Sequence, residues 1–253
     1  MKKTLFSILL ILFSTACAAE PTLEVLPIAT QATLSATITP TLIWFPPTNT
    51  PTAFPTPIVT PTVDMRPALG KILFEDDFSQ ANAWTTGQST DGSVALGKNE
   101  LTIAIAETNA YLYSIREEPA LSDYYLEITA NTSLCRGLDE YGVLFRVSPA
   151  MDYYRFSLSC DGQVRLDRVV NGQASSPQPW MMSGAVPPGA PSSTLIGIAA
   201  MGDELSFFVN GHFQFSVHDP LLSVGGVGVF ARSANKMAVT VNFSQLVIYA
   251  IIP

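Results

Sequence analysis

From Ala68 onward the chain reads as short apolar runs recurring roughly every 8 to 12 residues, with turn residues between them, the pattern of an all-β sandwich or barrel. Strand-like runs fall at residues 71–74, 101–105, 124–130, 141–147, 153–159, 164–170, 195–199, 205–209, 213–217, 227–230 and 239–249. No segment sustains a 3.6-residue period, so little helix is expected. Asp161-Gly162 and Asn210-Gly211 predict two-residue hairpins, because these residue types accept the positive φ that a type I′ turn requires.

Alternation along each run assigns faces, since successive strand residues point to opposite sides of a sheet. Tyr124, Leu126 and Ile128 are expected inward, with Val143, Phe145 and Val147, and with Tyr154, Phe156 and Leu158. The opposite set is polar with tyrosines: Tyr125, Glu127 and Thr129, then Leu144, Arg146 and Ser148, then Tyr153, Arg155 and Ser157, followed by Arg165 and Asp167. An antiparallel sheet with one wet face reads this way.

The N-terminal 67 residues follow another logic. Lys2 and Lys3 precede an apolar run at residues 5–13, then Ser14, Thr15, Ala16 and Cys17. That run is about half of what a bilayer-spanning helix needs. The pattern resembles a bacterial lipoprotein signal, which implies cleavage before Cys17 and a lipid on its thiol. An ordinary secretory signal is the rival reading, since Ser14 stands where a leucine is usual. Residues 18–67 hold ten prolines and many threonines. Such a tract favours extended polyproline II and would span on the order of 150 Å fully stretched. Within it Leu42, Ile43, Trp44 and Phe45 are too apolar for a plain spacer and suggest a docking segment. The expected organisation is a signal peptide at 1–16, lipidated Cys17 with a disordered Pro/Thr-rich linker at 17–67, and one β-sandwich domain at 68–253.

The net charge of −8 resides in that domain, which has ten Lys/Arg against eighteen Asp/Glu. An acidic domain without a cationic cluster in sequence argues against nucleic-acid partners. Of three cysteines, Cys135 and Cys160 remain for the exported domain, where thiols oxidise. A bridge between them, favoured over two free buried thiols, would close 24 intervening residues and contribute about 3 kcal/mol.

Several runs also resemble the concanavalin A-like lectin/glucanase superfamily. These are Phe74-Glu75-Asp76-Asp77-Phe78-Ser79 with Trp84, Tyr141 to Arg146, Tyr153-Tyr154-Arg155-Phe156 with Asp161-Gly162, Phe208 to Gly211, and Gly225 to Phe230. The laminin-G-like and 3-keto-disaccharide-hydrolase-like jelly rolls of bacterial surfaces are the nearest in flavour. The resemblance covers about residues 72–250 and implies an antiparallel jelly-roll sandwich, a fold that hosts lectins, hydrolases and structural modules. It also marks Asp76 and Asp77 as positions for a structural calcium, the one cofactor in view. Relatives pair that site with a Phe-Asp that reads Phe243-Ser244 here.

Catalytic signals are sparse. The Glu-x-Asp-x-x-Glu strand of laminarinases is missing from the sequence, as is a Gly-x-Ser-x-Gly elbow. The acidic pairs Asp76-Asp77, Glu117-Glu118, Asp139-Glu140 and Asp203-Glu204 sit at strand ends or turns, where solvated carboxylates are ordinary. His212 and His218 lack metal-ligand spacing. Sugar binding asks only for aromatic platforms and planar polar groups. Tyr125, Glu127, Arg146, Tyr153 and Arg155 are the candidates on the polar face, with Trp180 expected on a loop that folds over it. The sequence thus points to a cell-surface lipoprotein that displays a non-catalytic binding module for carbohydrate. The membrane, through its lipid, and a glycan or envelope protein are the expected partners. A surface glycoside hydrolase or keto-sugar-processing enzyme is the alternative, and a structural envelope ectodomain the second. In either case the location is the extracytoplasmic side of a bacterial membrane.

Overall fold

The computed structural model describes residues 64–234 and 237–252. The signal peptide, Cys17, the Pro/Thr tract as far as residue 63 and the 42–45 apolar patch lie outside the described residues. Among those described, fifteen strands occur and no helix. The first half runs β1 (Leu69–Asp76), β2 (Gly87–Gln88), β3 (Gly92–Gly97), β4 (Glu100–Ile105), β5 (Tyr111–Leu121), β6 (Tyr124–Leu134) and β7 (Gly137–Val147). Next come β8 (Tyr153–Cys160), β9 (Gln163–Val170), β10 (Gln173–Met182) and β11 (Ser192–Met201). The chain ends with β12 (Glu204–Val209), β13 (His212–His218), β14 (Gly225–Arg232) and β15 (Val239–Ile251).

They form two antiparallel sheets. One is ordered β13-β12-β11-β6-β15-β4-β3-β2, with β1 also paired to β15; the other is β10-β9-β8-β7-β14-β5. The strand β15 is long enough to carry β4 along Val239 to Phe243 and β1 along Leu246 to Ile251 on one side. A left-handed Gln245 (φ 55°) marks the break between them.

Every apolar run of the sequence lies on a strand, but β2, β3, β5 and β10 were not expected. β5 and β10 are the outermost strands of the six-stranded sheet. An edge strand is half wetted and tolerates Pro and charge. β5 accordingly reads Arg116-Glu117-Glu118-Pro119 and β10 reads Ser175-Ser176-Pro177-Gln178-Pro179, so alternation is erased in both. Asn210 and Gly211 both take positive φ, as a type I′ hairpin requires. Asp161 does not: Gly162 donates its amide to the Ser159 carbonyl, and only Gly162 is left-handed, at φ 93°. Asn171 (φ 50°) and Gly172 (φ 72°) form a further turn of the primed kind, between β9 and β10.

The core lies between the sheets. Phe207 of the nine-stranded sheet packs 4.7 Å from Phe156 and 5.9 Å from Phe145 of the other, with Phe215 at 4.8 Å. Truncating such a ring costs about 3–5 kcal/mol. Tyr124, Leu126, Ile128, Val143, Phe145, Tyr154, Phe156 and Leu158 all point inward and are buried. Cys135 and Cys160 are bridged, with Cα atoms 5.8 Å apart, and tie the β6–β7 connection to the end of β8.

Val147 and Arg146 depart from alternation. The β7–β14 register shifts between Gly226 and Val227, and Arg146 sits at φ 50°. A bulge of this kind turns the following side chains to the other face. Val147 therefore packs on the outer face with Ile115, Leu144 and Phe230, and Arg146 turns inward. Gly225 makes the bulge possible, since a Cβ there would lie 2.4–2.6 Å from backbone atoms of Arg146 and Val147.

Five buried tyrosines set an alkaline limit on stability. Burial pushes the Tyr154 phenol up to about 12, helped by its hydrogen bond to Asp219. Tyr111, Tyr124, Tyr125 and Tyr141 are likewise raised, burial being the largest cause in each. Unfolded tyrosine titrates near pH 10. The unfolded chain then loses protons that the folded chain keeps, so stability falls as pH rises from about 10 to 12. The greater part of the tyrosinate absorbance, that of these five, should accordingly appear together with loss of the β-sheet circular dichroism and not ahead of it.

Candidate functional site

The outer face of the six-stranded sheet gathers the chemistry. Strand register sets it up: Arg155 faces Asp167 and Ser157 faces Arg165 across β8 and β9. Glu140 faces Ser159, and Gly142 faces Ser157, across β7 and β8. Arg232 of β14 lies opposite Glu140 on one side and Tyr111 of β5 on the other. Three arginines, two carboxylates and several rings from six adjoining strands thus share one surface.

Two carboxylates form its floor. Asp167 is 3% and Glu140 4% exposed at the side chain, against 14% for Arg155, 17% for Arg165 and 39% for Arg232. Nη2 of Arg165 bridges the two, 3.2 Å from Glu140 Oε2 and 2.9 Å from Asp167 Oδ2. Arg155 donates through Nη2 and Nε to Asp167 Oδ2 at 2.5 and 3.2 Å, and Ser176 Oγ donates to Oδ1. Arg232 Nη1 donates to Glu140 Oε1 at 2.8 Å. Charge-assisted bonds of this kind offset the cost of burying a carboxylate.

Rings hold the guanidinium planes in place. Arg165 lies 4.5 Å from the centre of Trp180, and Arg155 lies 5.6 Å from both Tyr111 and Phe230. Such contacts contribute about 0.5–2 kcal/mol each. Burial works against the Arg155 charge, but Asp167, Tyr111 and Glu140 outweigh it and raise its pKa. Three buried polar atoms here have no hydrogen-bond partner: Ser157 Oγ, Arg165 Nε and Tyr111 OH.

Of the six residues singled out from sequence, this face holds Tyr153, Arg155 and Trp180. Trp180 stands on the edge strand β10 and not on a loop. Tyr125 and Glu127 belong to β6 and lie on the outside of the other sheet, because alternation gives a side but not a sheet. There the Tyr125 hydroxyl donates to Glu127 Oε1 at 2.9 Å, Arg66 comes within 3.7 Å of the same oxygen, and the Tyr125 ring is buried with Phe208 and Ala199. Arg146 is wholly buried at one end of the sandwich. Its Nη1 donates to the Leu222 carbonyl at 2.8 Å and its Nη2 to that of Ser122 at 2.9 Å. It is a clamp on two loops and does not reach the polar face.

Asp76 and Asp77 have protein partners. Asp76 accepts from the Phe78 amide and Trp84 Nε1 and pairs with Arg116 at 2.9 Å. Asp77 accepts from the Ser79 amide and Asn99 Nδ2. No group of three or more His, Cys, Asp or Glu gathers among the described residues.

Arg165, Asp167, Glu140, Arg232, Tyr111 and Ser157 were not among the sequence candidates. A two-residue Asp161-Gly162 hairpin would have set Arg165 opposite Leu158 and Asp167 opposite Phe156. The turn that forms, closed by the Gly162 amide on the Ser159 carbonyl, moves the pairing by one residue and sets them opposite Ser157 and Arg155. Concavity alone would have misled as well. A cleft of about 570 Å³ between the end of β10 and β13 has His212 as its only titratable lining group. Chemistry concentrates on the sheet and not in that cleft.

No family model and no curated protein matches the sequence. Solved structures do match in shape. The carbohydrate-binding module CBM66 from Bacillus subtilis superposes with a TM-score of 0.53 at 17% identity, covering 65% of this chain and 93% of that one. A Bacillus subtilis protein of unknown function with a galectin-like fold gives 0.57 at 11%, covering 74% and 99%. The endo-1,3-β-glucanase (laminarinase) catalytic domain from Thermotoga petrophila gives 0.51 at 9%, covering 72% and 98%. The fold is a concanavalin A-like jelly roll. At these identities the likeness bears on the fold alone.

Arg146→Gln should lower stability by about 3 kcal/mol, since the carbonyls of Ser122 and Leu222 lose charge-assisted donors and the buried space filled by the guanidinium is left unmatched. Denaturant unfolding measures it. Any ligand bound on the arginine face should keep its affinity in that variant.

Proposed function

We propose that the outer face of the six-stranded sheet is a non-catalytic carbohydrate-binding surface, displayed by a lipoprotein on the exterior of a bacterial cell. The observation that carries this reading is the preorganised layer of planar polar groups between Trp180 on one side and Tyr111 and Tyr153 on the other. Sugars are recognised by hydrogen bonds to hydroxyls from planar groups and by aromatic stacking on their apolar faces. A rigid arrangement loses little entropy on binding. The fold likeness to a carbohydrate-binding module supports the same reading.

Residue Arg66, near the start of the described chain, rests against Glu127 on the outside of the nine-stranded sheet. Lipidation of Cys17 is part of the proposal and rests on the sequence pattern of residues 14–17.

A glycosidase reading has one observation in its favour. Because Glu140 and Asp167 contact the same Arg165 nitrogen, their nearest oxygens are at most roughly 6 Å apart, close together as the carboxyl pairs of glycosidases are at ~5–9.5 Å. The hydrolytic cycle also needs one of them to be a proton donor. Each is engaged by two guanidinium groups, and a carboxylic acid would give up those ion pairs. Binding is the better use of this geometry.

On a glycan array the full-length chain should bind a defined set of sugars. Trp180→Ala and Arg155→Gln should each weaken binding about tenfold or more, near 1.4 kcal/mol, with the circular dichroism spectrum unchanged. An array without signal would sink the lectin reading, and release of reducing sugar from a β-glucan would replace it with the hydrolytic one. For the anchor, Cys17→Ser should move the protein from the membrane fraction to the soluble one. A variant that stays membrane-bound contradicts lipidation.

A further inference from the structure

Donors and acceptors on the arginine face are unequally used. Both oxygens of Glu140 and both of Asp167 already accept, from Arg165, Arg232, Arg155 and Ser176. The atoms left without partners can all donate: Arg165 Nε only donates, and the Ser157 and Tyr111 hydroxyls can do so. A neutral sugar hydroxyl is both donor and acceptor, and its hydrogens would find these carboxylates all but sealed from solvent beneath the arginines. The charge count points the same way, with three guanidinium groups over two carboxylates and the cations outermost. This excess stands out in a protein of net charge −8.

Resting on the carbohydrate reading above, we infer that this face selects a sugar bearing a carboxylate, such as a uronic acid within or at the end of a glycan. The ligand carboxylate supplies the acceptors the face lacks and meets the outward guanidinium edges of Arg232, Arg165 and Arg155, beneath which the unpartnered Arg165 Nε, Ser157 Oγ and Tyr111 OH are buried. A densely charged polyanion is disfavoured, because the rest of the acidic domain repels it. An isolated carboxylate is not.

The test is titration calorimetry of the full-length chain with oligogalacturonides and glucuronate-containing oligosaccharides, each against its methyl ester, which removes the charge and adds one methyl group. The acid forms should bind at least about tenfold more tightly than the esters. Arg165→Lys keeps the charge but removes Nε and should abolish most of that preference. Arg232→Gln, at a more exposed position, should reduce it; the loss of one of the two partners of Glu140 lowers the thermal midpoint, and β-sheet circular dichroism at the assay temperature confirms that the variant is folded. Sodium acetate at matched carboxylate concentration should not compete. Equal binding of acid and ester, an unchanged preference in Arg165→Lys, or full competition by acetate would overturn the inference and leave sugar binding standing. Failure of every glycan, neutral or acidic, would remove both.

Discussion

A carboxylate taken out of water must be matched by positive charge and hydrogen bonds, and this requirement organises the outer face of the six-stranded sheet. Asp167 and Glu140 lie on neighbouring parts of that sheet with almost no exposure, so three arginines from β8, β9 and β14 converge on them. Those arginines need flat support, which Trp180, Tyr111 and Phe230 supply. Each member is fixed by another. The result is a polar surface ordered before any ligand arrives, unlike an ordinary wet sheet face, where isolated ion pairs contribute little.

The buried half of the molecule was readable from its residues because burial imposes a strict period of two. The inward sets on β6 and β8 are placed as their alternation requires; strands of this length and spacing imply an all-β sandwich or barrel, which the resemblance narrows to a jelly roll. Edge strands escaped for the converse reason. β5 and β10 carry prolines and charges where hydrogen bonding is one-sided, and nothing in such a run distinguishes it from a loop. Trp180 was consequently expected on a loop, although Arg165 beneath it needs the fixed position that β10 provides.

The candidate site was legible only in part, because alternation says which side of a strand a residue faces but not which sheet the strand joins. Tyr125 and Glu127 share their pattern with Tyr153 and Arg155, yet the core separates the two pairs. Arg146 fails for a different reason. One extra residue in β7 opposite the paired glycines Gly225 and Gly226 reverses its direction. The same reversal sends Val147 outward to join the apolar patch under Tyr111 and Tyr153. A single bulge thus converts an expected surface cation into an internal clamp and adds a hydrophobic footing to the site.

The fold offers little help in choosing between binding and catalysis, since a carbohydrate-binding module and a glucanase catalytic domain superpose on this chain about equally well. The distinction lies in what the carboxylates touch. A catalytic pair must include one member free to hold and release a proton. A recognition pair is better locked, since every fixed lone pair orients a donor toward the ligand. Glu140 and Asp167 share Arg165 and each has a second arginine, an arrangement suited to orientation and opposed to proton transfer. The same arrangement puts the cations outermost and the carboxylates beneath them, so the feature that argues against hydrolysis is the one on which the proposed preference for an acceptor-rich ligand rests.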